Sequence, residues 1–137
     1  MNTLELEVDL PATRDRVWEL WTTAEGLTAW LGVRAEVESR VGGRFSVEFG
    51  DLAAPRAAAG ALAAGRVLSI DAPRLLLLDF GGTELELVLL PRPPDGCRLR
   101  ISHPGFGDTA EEMTWFSEAW QSALERLQVL VLREGVR

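Results

Sequence analysis

The sequence predicts an α+β fold in which a curved antiparallel β-sheet wraps around a long C-terminal α-helix, with two short helices between the first two strands. Three observations predict it. From Thr109 to Glu134, apolar residues recur at Met113, Phe116, Trp120, Leu124, Leu127 and Val131, steps of three and four that draw one stripe along a helix. At about 1.5 Å per residue that helix is roughly 35 Å long. Upstream, apolar and charged residues alternate with a period of two, the signature of strands with one buried face. The strands after the short helices are joined by short links, which implies an antiparallel meander. Strands of about seven residues span roughly 23 Å, less than the helix, so the sheet has to twist around it.

In order, Leu4, Leu6, Val8 and Leu10 alternate with Glu5, Glu7 and Asp9 as the first strand, and Pro11 closes it. Thr13 is placed to cap a helix over residues 14–25 carrying Val17, Trp18, Leu20 and Trp21. Thr23 can cap a second, over 24–32, which ends at Gly32 after Trp30. A strand follows over 33–40, and Gly42-Gly43 marks a tight turn that needs a positive φ. Arg44 to Phe49 is the next strand, with Phe45, Val47 and Phe49 on one side. Residues 51–64 carry no decisive pattern, since alanine offers little area to bury and Pro55 and Gly60 interrupt. Strands resume at Arg66–Ile70 and Leu75–Phe80. After Gly81-Gly82 comes a strand with Leu85, Leu87 and Leu89 inward, and after PRPPDG the last, Cys97–His103. A sheet with one apolar face must bury it, and the long helix is the element available to cover it.

The 137 residues fit one domain, 1–137. A formal charge of −7 argues against sequence-independent nucleic-acid binding, and the two short helices present no basic recognition face. No apolar run reaches the roughly 18 residues of a membrane span. The alternating N-terminus is no signal peptide, so the cytoplasm is the expected location. One cysteine, Cys97, excludes an internal disulfide framework and a cysteine-based zinc cluster. With no lysine and no tyrosine, Schiff-base chemistry and tyrosine acids are excluded too.

Several short stretches together resemble a known family. They are Val17-Trp18, Leu27 with Trp30, Gly42-Gly43-Arg44-Phe45, Gly65-Arg66-Val67 and Asp71-Ala72-Pro73-Arg74, followed by Ser102-His103-Pro104-Gly105-Phe106 and then Trp120, Leu124 and Leu127. In order and spacing they resemble the activator of Hsp90 ATPase-like, or SRPBCC, branch of the Bet v 1/START-like superfamily, whose fold is the helix grip. The chain departs from that pattern at Phe80, where the family often has tryptophan. The resemblance implies a cavity between the sheet and the long helix that holds an apolar small molecule. The residues expected to line it are Trp30, Phe45, Val47, Phe80, Leu87, Leu99, Ile101, His103, Phe116, Trp120 and Leu124. Relatives include ligand carriers, chaperone-assisting proteins and enzymes, and fold alone does not choose among them.

His103, the single histidine, shares the inward parity of Leu99 and Ile101 and is a hydrogen-bond anchor for a ligand, a general base, or a histidine tied to a backbone carbonyl at the strand's end. Asp79 interrupts LLLLDF and would need an arginine partner if it pointed inward. The remaining strand carboxylates fall at outward positions, and Cys97 reads as structural. No metal site and no cofactor are expected. Leu75, Leu77 and Val88 would form an outward apolar patch, which predicts a homodimer through that surface. The function expected is non-enzymatic binding of an apolar small molecule. The alternatives are a chaperone-associated interaction module and a cyclase or hydrolase acting on a polyketide-like substrate.

Overall fold

The computed structural model describes residues 3–32, 34–48, 62–80, 83–104 and 110–135, and within these every side chain except those of 3, 62, 63, 80, 83, 104, 110–117, 119 and 135. The elements are β1 (Thr3–Leu10), α1 (Arg14–Thr22), α2 (Ala24–Trp30), β2 (Arg34–Val37), β3 (Arg44–Glu48), β4 (Leu62–Asp71), β5 (Leu75–Phe80), β6 (Thr83–Arg92), β7 (Gly96–Pro104) and α3 (Ala110–Gly135). Their order is the one the sequence predicts.

The two threonines start the helices as expected. Thr13 Oγ1 accepts from the Arg16 amide at 3.3 Å, and Thr23 Oγ1 from the Gly26 amide at 3.0 Å, each satisfying an amide that the helix itself leaves bare. Because Thr23 caps α2, α1 stops at Thr22, earlier than its apolar pattern suggests.

The β2–β3 hairpin differs from the sequence reading. β2 ends at Val37 rather than continuing to Arg40, because Glu38 is committed to the turn. Its carboxylate accepts from the Arg44 amide at 2.9 Å and its carbonyl from the Arg40 amide at 2.8 Å. Gly42 has φ of 80°, and a Cβ on Gly43 would lie 2.2 Å from the Glu38 carbonyl oxygen, so both glycines are needed.

β4 begins at Leu62, inside the undecided stretch, where Leu62, Ala63 and Ala64 pair with Glu48, Val47 and Ser46. Alanines give no contrast of period two, so the pattern does not announce them. Phe49 and the rest of the undecided run, together with Gly81-Gly82, lie outside the described residues. β4 serves two neighbours: its first half pairs with β3 and, beyond a register shift between Val67 and Ser69, its second half pairs with β5. The strands approach so closely there that a Cβ on Gly65 would sit 1.8 Å from the Asp79 carbonyl oxygen.

All strand pairs are antiparallel, in the order β1-β7-β6-β5-β4-β3-β2. Strands β2 to β7 form the predicted meander, and β1 adds beside β7. The inner face is Leu4, Leu10, Phe45, Val47, Val67, Leu76, Leu78, Leu85, Leu87, Leu89, Leu99 and Ile101, all buried against α1, α2 and α3. From α3 come Trp120, Ala123, Leu124, Leu127 and Val131 of the predicted stripe, while the side chains of Met113 and Phe116 lie outside the described residues. Asp79 falls on the outer face, partly exposed, so the chain buries no carboxylate there. No described helix is long and apolar enough to cross a membrane.

Candidate functional site

The interior site is built on a file of aromatic rings. Trp21, near the end of α1, tilts against Trp30 of α2 with centroids 4.9 Å apart. It also stacks on Trp120 of α3 at 6.1 Å and 18°. Trp120 in turn meets the His103 ring edge-on at 6.3 Å. Helix spacing puts Trp21 and Val17 on one face of α1, and strand parity brings His103 inward with Leu99 and Ile101. Such offset and edge-on contacts are the arrangements aromatic rings prefer, so the file is well packed.

Two polar contacts hold it. Trp30 Nε1 donates to the Leu20 carbonyl at 2.9 Å, joining α2 to α1. Arg126 Nε donates to the Trp30 carbonyl at 2.9 Å, joining α3 to the C-terminal end of α2, while its Nη1 donates within α3 to Ser122 Oγ at 3.0 Å. The sequence reading set Arg126 off the buried stripe. In the fold it is partly buried, because the end of α2 leaves carbonyls bare and α2 has no basic residue of its own in its last turn. That absence in α2 is the one sequence signal that pointed to a donor from elsewhere.

Nine of the eleven expected cavity residues converge on this interior: Trp30, Phe45, Val47, Leu87, Leu99, Ile101, His103, Trp120 and Leu124 are all buried. The side chains of Phe80 and Phe116, and that of Trp115, lie outside the described residues. Trp21 belongs with the nine and was not singled out, because its spacing on α1 resembles that of Trp18, which is only partly buried. Exposure is graded within the set. Val47, Leu87, Leu99 and Ile101 are at 0%, whereas Trp120 keeps 6%, Leu124 5% and the neighbouring Leu4 6%. Leu4 pairs with His103 in the β1–β7 ladder.

His103 is 2% exposed, and burial pushes its pKa down to about 4. At neutral pH its ring is uncharged, in an apolar setting. A general base works best with a pKa near the working pH, and this one lies well below. Burial pushes the Cys97 thiol up to about 11, which keeps it protonated and unreactive at neutral pH. Among the described residues no group of three or more His, Cys, Asp and Glu is placed to hold a metal ion. Among the described residues, open clefts elsewhere include one of about 560 Å³ between the helices at Arg16, Thr23 and Leu130 and one of about 450 Å³ beside Asp9 and the β6–β7 turn.

The family model described as activator of Hsp90 ATPase homolog 1-like protein matches residues 11–131. The chain belongs to that family. Among solved structures it is similar to the Aha1 dimer from Colwellia psychrerythraea, at 16% identity and a TM-score of 0.80 over 96% of both chains. It is also similar to protein CV1439 from Chromobacterium violaceum, at 26% identity and a TM-score of 0.74 over 96% of this chain and 98% of that one. CalU16 from Micromonospora echinospora shares 22% identity with a TM-score of 0.72, over 94% of this chain and 73% of that one. A search of curated proteins found no match. These likenesses establish the helix-grip fold and the family.

Proposed function

We propose that the chain binds an apolar small molecule between the inner face of the sheet and α3, without transforming it. The observation that carries this reading is the inner face itself: hydrophobic across its strands, with His103, uncharged at neutral pH, the one buried polar side chain on it among the described residues. Apolar walls with few polar groups suit a ligand that is mostly hydrocarbon. Native mass spectrometry of the chain as purified, followed by solvent extraction, tests it. The expected result is a bound mass that leaves with an apolar solvent; a bare chain that also fails to bind added apolar probes sinks the reading.

A second reading rests on the family description, that of an activator of Hsp90 ATPase homolog. Here the chain is a chaperone-associated module that uses its outer surface. Raised ATPase turnover of an Hsp90 on addition of the chain is the outcome this reading requires. We also read the chain as self-associating, in keeping with the Colwellia relative, which is described as a dimer.

A further inference from the structure

The outer surface of β5, β6 and β7 is sorted by charge along the strands. On β6 the outward residues run Glu84, Glu86, Val88, Leu90 and Arg92. The ladder sets Asp79 beside Glu84, Leu77 beside Glu86 and Leu75 beside Val88 on one flank. On the other flank it sets Ser102 beside Glu86, Arg100 beside Val88 and Arg98 beside Leu90. The result is an acidic end of Asp79, Glu84 and Glu86, a middle of Leu75, Leu77, Val88 and Leu90 flanked by Arg100 at the level of Val88, and an arginine end of Arg92 and Arg98 beside Asp9 of β1. The apolar middle is partly exposed, and Leu68 beyond it on β4 is 42% exposed. β5 is the central strand of the sheet, so the strip sits at the middle of the face with charged residues at both ends.

The two ends differ in how their charges are met. Arg98 and Arg92 share Asp9, and Arg100 Nε donates to Glu7 at 2.9 Å, which leaves further N–H donors on each guanidinium. Glu84 and Glu86 are exposed and make no ion pair among the described residues.

We propose that two copies of this chain pack face to face through this strip, about a two-fold axis running across the strands, so that the acidic end of each meets the arginine end of the other. The proposal rests on reading the chain as self-associating and specifies how the copies meet. Sheets packed on each other lie about 10 Å apart with strands nearly aligned. A two-fold axis along the strands would lay acid over acid and arginine over arginine. An axis across them, at the level of Val88 and Leu75, pairs opposite charges at both ends; at the axis itself Val88 and Leu75 meet their own copies, and Arg100, already held by Glu7, meets the partner's Arg100. It carries Glu86 to the level of Leu90 and Arg98 in the partner, and Glu84 to that of Arg92. A two-fold contact has to be self-complementary, and this face meets that condition in one direction only.

Sedimentation velocity over a concentration series, at low and high salt, tests the arrangement. Wild type is expected to dimerise, more weakly at high salt. The double substitution E84R/E86R disturbs no in-chain ion pair and should weaken dimerisation at least about tenfold, because both ends then face like charge. Mixing it with R98E/R100E should restore a dimer of the two variants. Circular dichroism checks that each is folded. Should the arginine variant not fold, a bismaleimide linker should join E86C to L90C across copies and leave E86C unjoined to itself. A dimer indifferent to E84R/E86R, or one in which E86C joins E86C, overturns this arrangement while leaving self-association standing. A wild type that stays monomeric at every concentration overturns both.

Discussion

On β6 the inner face carries Leu85, Leu87 and Leu89, each at 0% exposure, while the outer face of the same strand carries Glu84, Glu86, Val88 and Leu90. β7 repeats the contrast, with Cys97, Leu99, Ile101 and His103 inside and Arg98, Arg100 and Ser102 outside. Alternate residues of one strand thus face two different environments. Inside, selection is by volume and by the absence of charge, and a single neutral imidazole supplies most of the polarity. Outside, the arginines are tied to Glu7 and Asp9 in exposed pairs worth little each, and the order of charges along the strand is what distinguishes one partner orientation from another. The difference separates two surfaces, a buried apolar one and an exposed charged one.

Substitution by alanine on each face breaks this comparison most forcefully. Leu99→Ala leaves a cavity in the sealed interior and should cost about 2–5 kcal/mol in urea unfolding. Leu77→Ala on the outer face should cost less than about 1 kcal/mol in dilute protein. Equal losses would mean that the two faces are not energetically distinct.

A finer version compares two indoles on the inner side. Trp30 Nε1 donates to the Leu20 carbonyl, whereas Trp21 Nε1, equally buried, has no acceptor among the described residues. Phenylalanine removes similar volume at either site, so Trp30→Phe should destabilise by about 1 kcal/mol more than Trp21→Phe, the worth of one hydrogen bond. The reverse order, measured by the same unfolding titrations, would refute the pairing.

The pH dependence of stability isolates His103. Its pKa of about 4 in the fold lies below the ordinary 6.5, so between those values the unfolded chain holds a proton that the folded chain does not. Its contribution is complete above about 6.5 and is lost as the pH falls toward 4, with a slope of at most about 1.4 kcal/mol per pH unit. Asp9 and Glu38, whose pKa values are lowered by arginine pairing and by the Arg44 amide respectively, lose their contributions only further into acid. His103→Leu should flatten the profile between pH 5 and 6.5; an unchanged slope would place the proton elsewhere.

The smallest expected effect is at the seam between α1 and α3, where Arg16 Nε donates to Glu134 at 2.9 Å and its Nη2 makes a second contact. Both side chains are partly exposed, so solvent screens the pair. Glu134→Gln should cost about 0.5–1 kcal/mol and less at high salt. A loss above about 2 kcal/mol would mark the seam as a buried one.

Where the chain obeys a strong local period, its sequence was readable. The strands with alternating leucine and glutamate, the two threonine caps and the stripe on α3 all stand where the pattern puts them. Alanine has too little side chain to express a period, so the start of β4 was silent. Glu38 ended β2 early because its carboxylate bonds to an amide six residues on, a contact that only the closed hairpin creates. Arg126 and Trp21 were missed for a related reason: their importance depends on where α2 ends against α3, a tertiary fact with no spacing in the chain. His103 was the reverse case, since strand parity alone pointed it inward.

The most direct test of the division between faces is a methyl-labelled NMR titration with an apolar probe such as a naphthalene. The account predicts that shifts concentrate on Leu4, Leu99, Ile101 and Leu124, while Leu75, Leu77, Val88 and Leu90 stay still. Shifts confined to the outer four, with the inner residues unmoved, would contradict it.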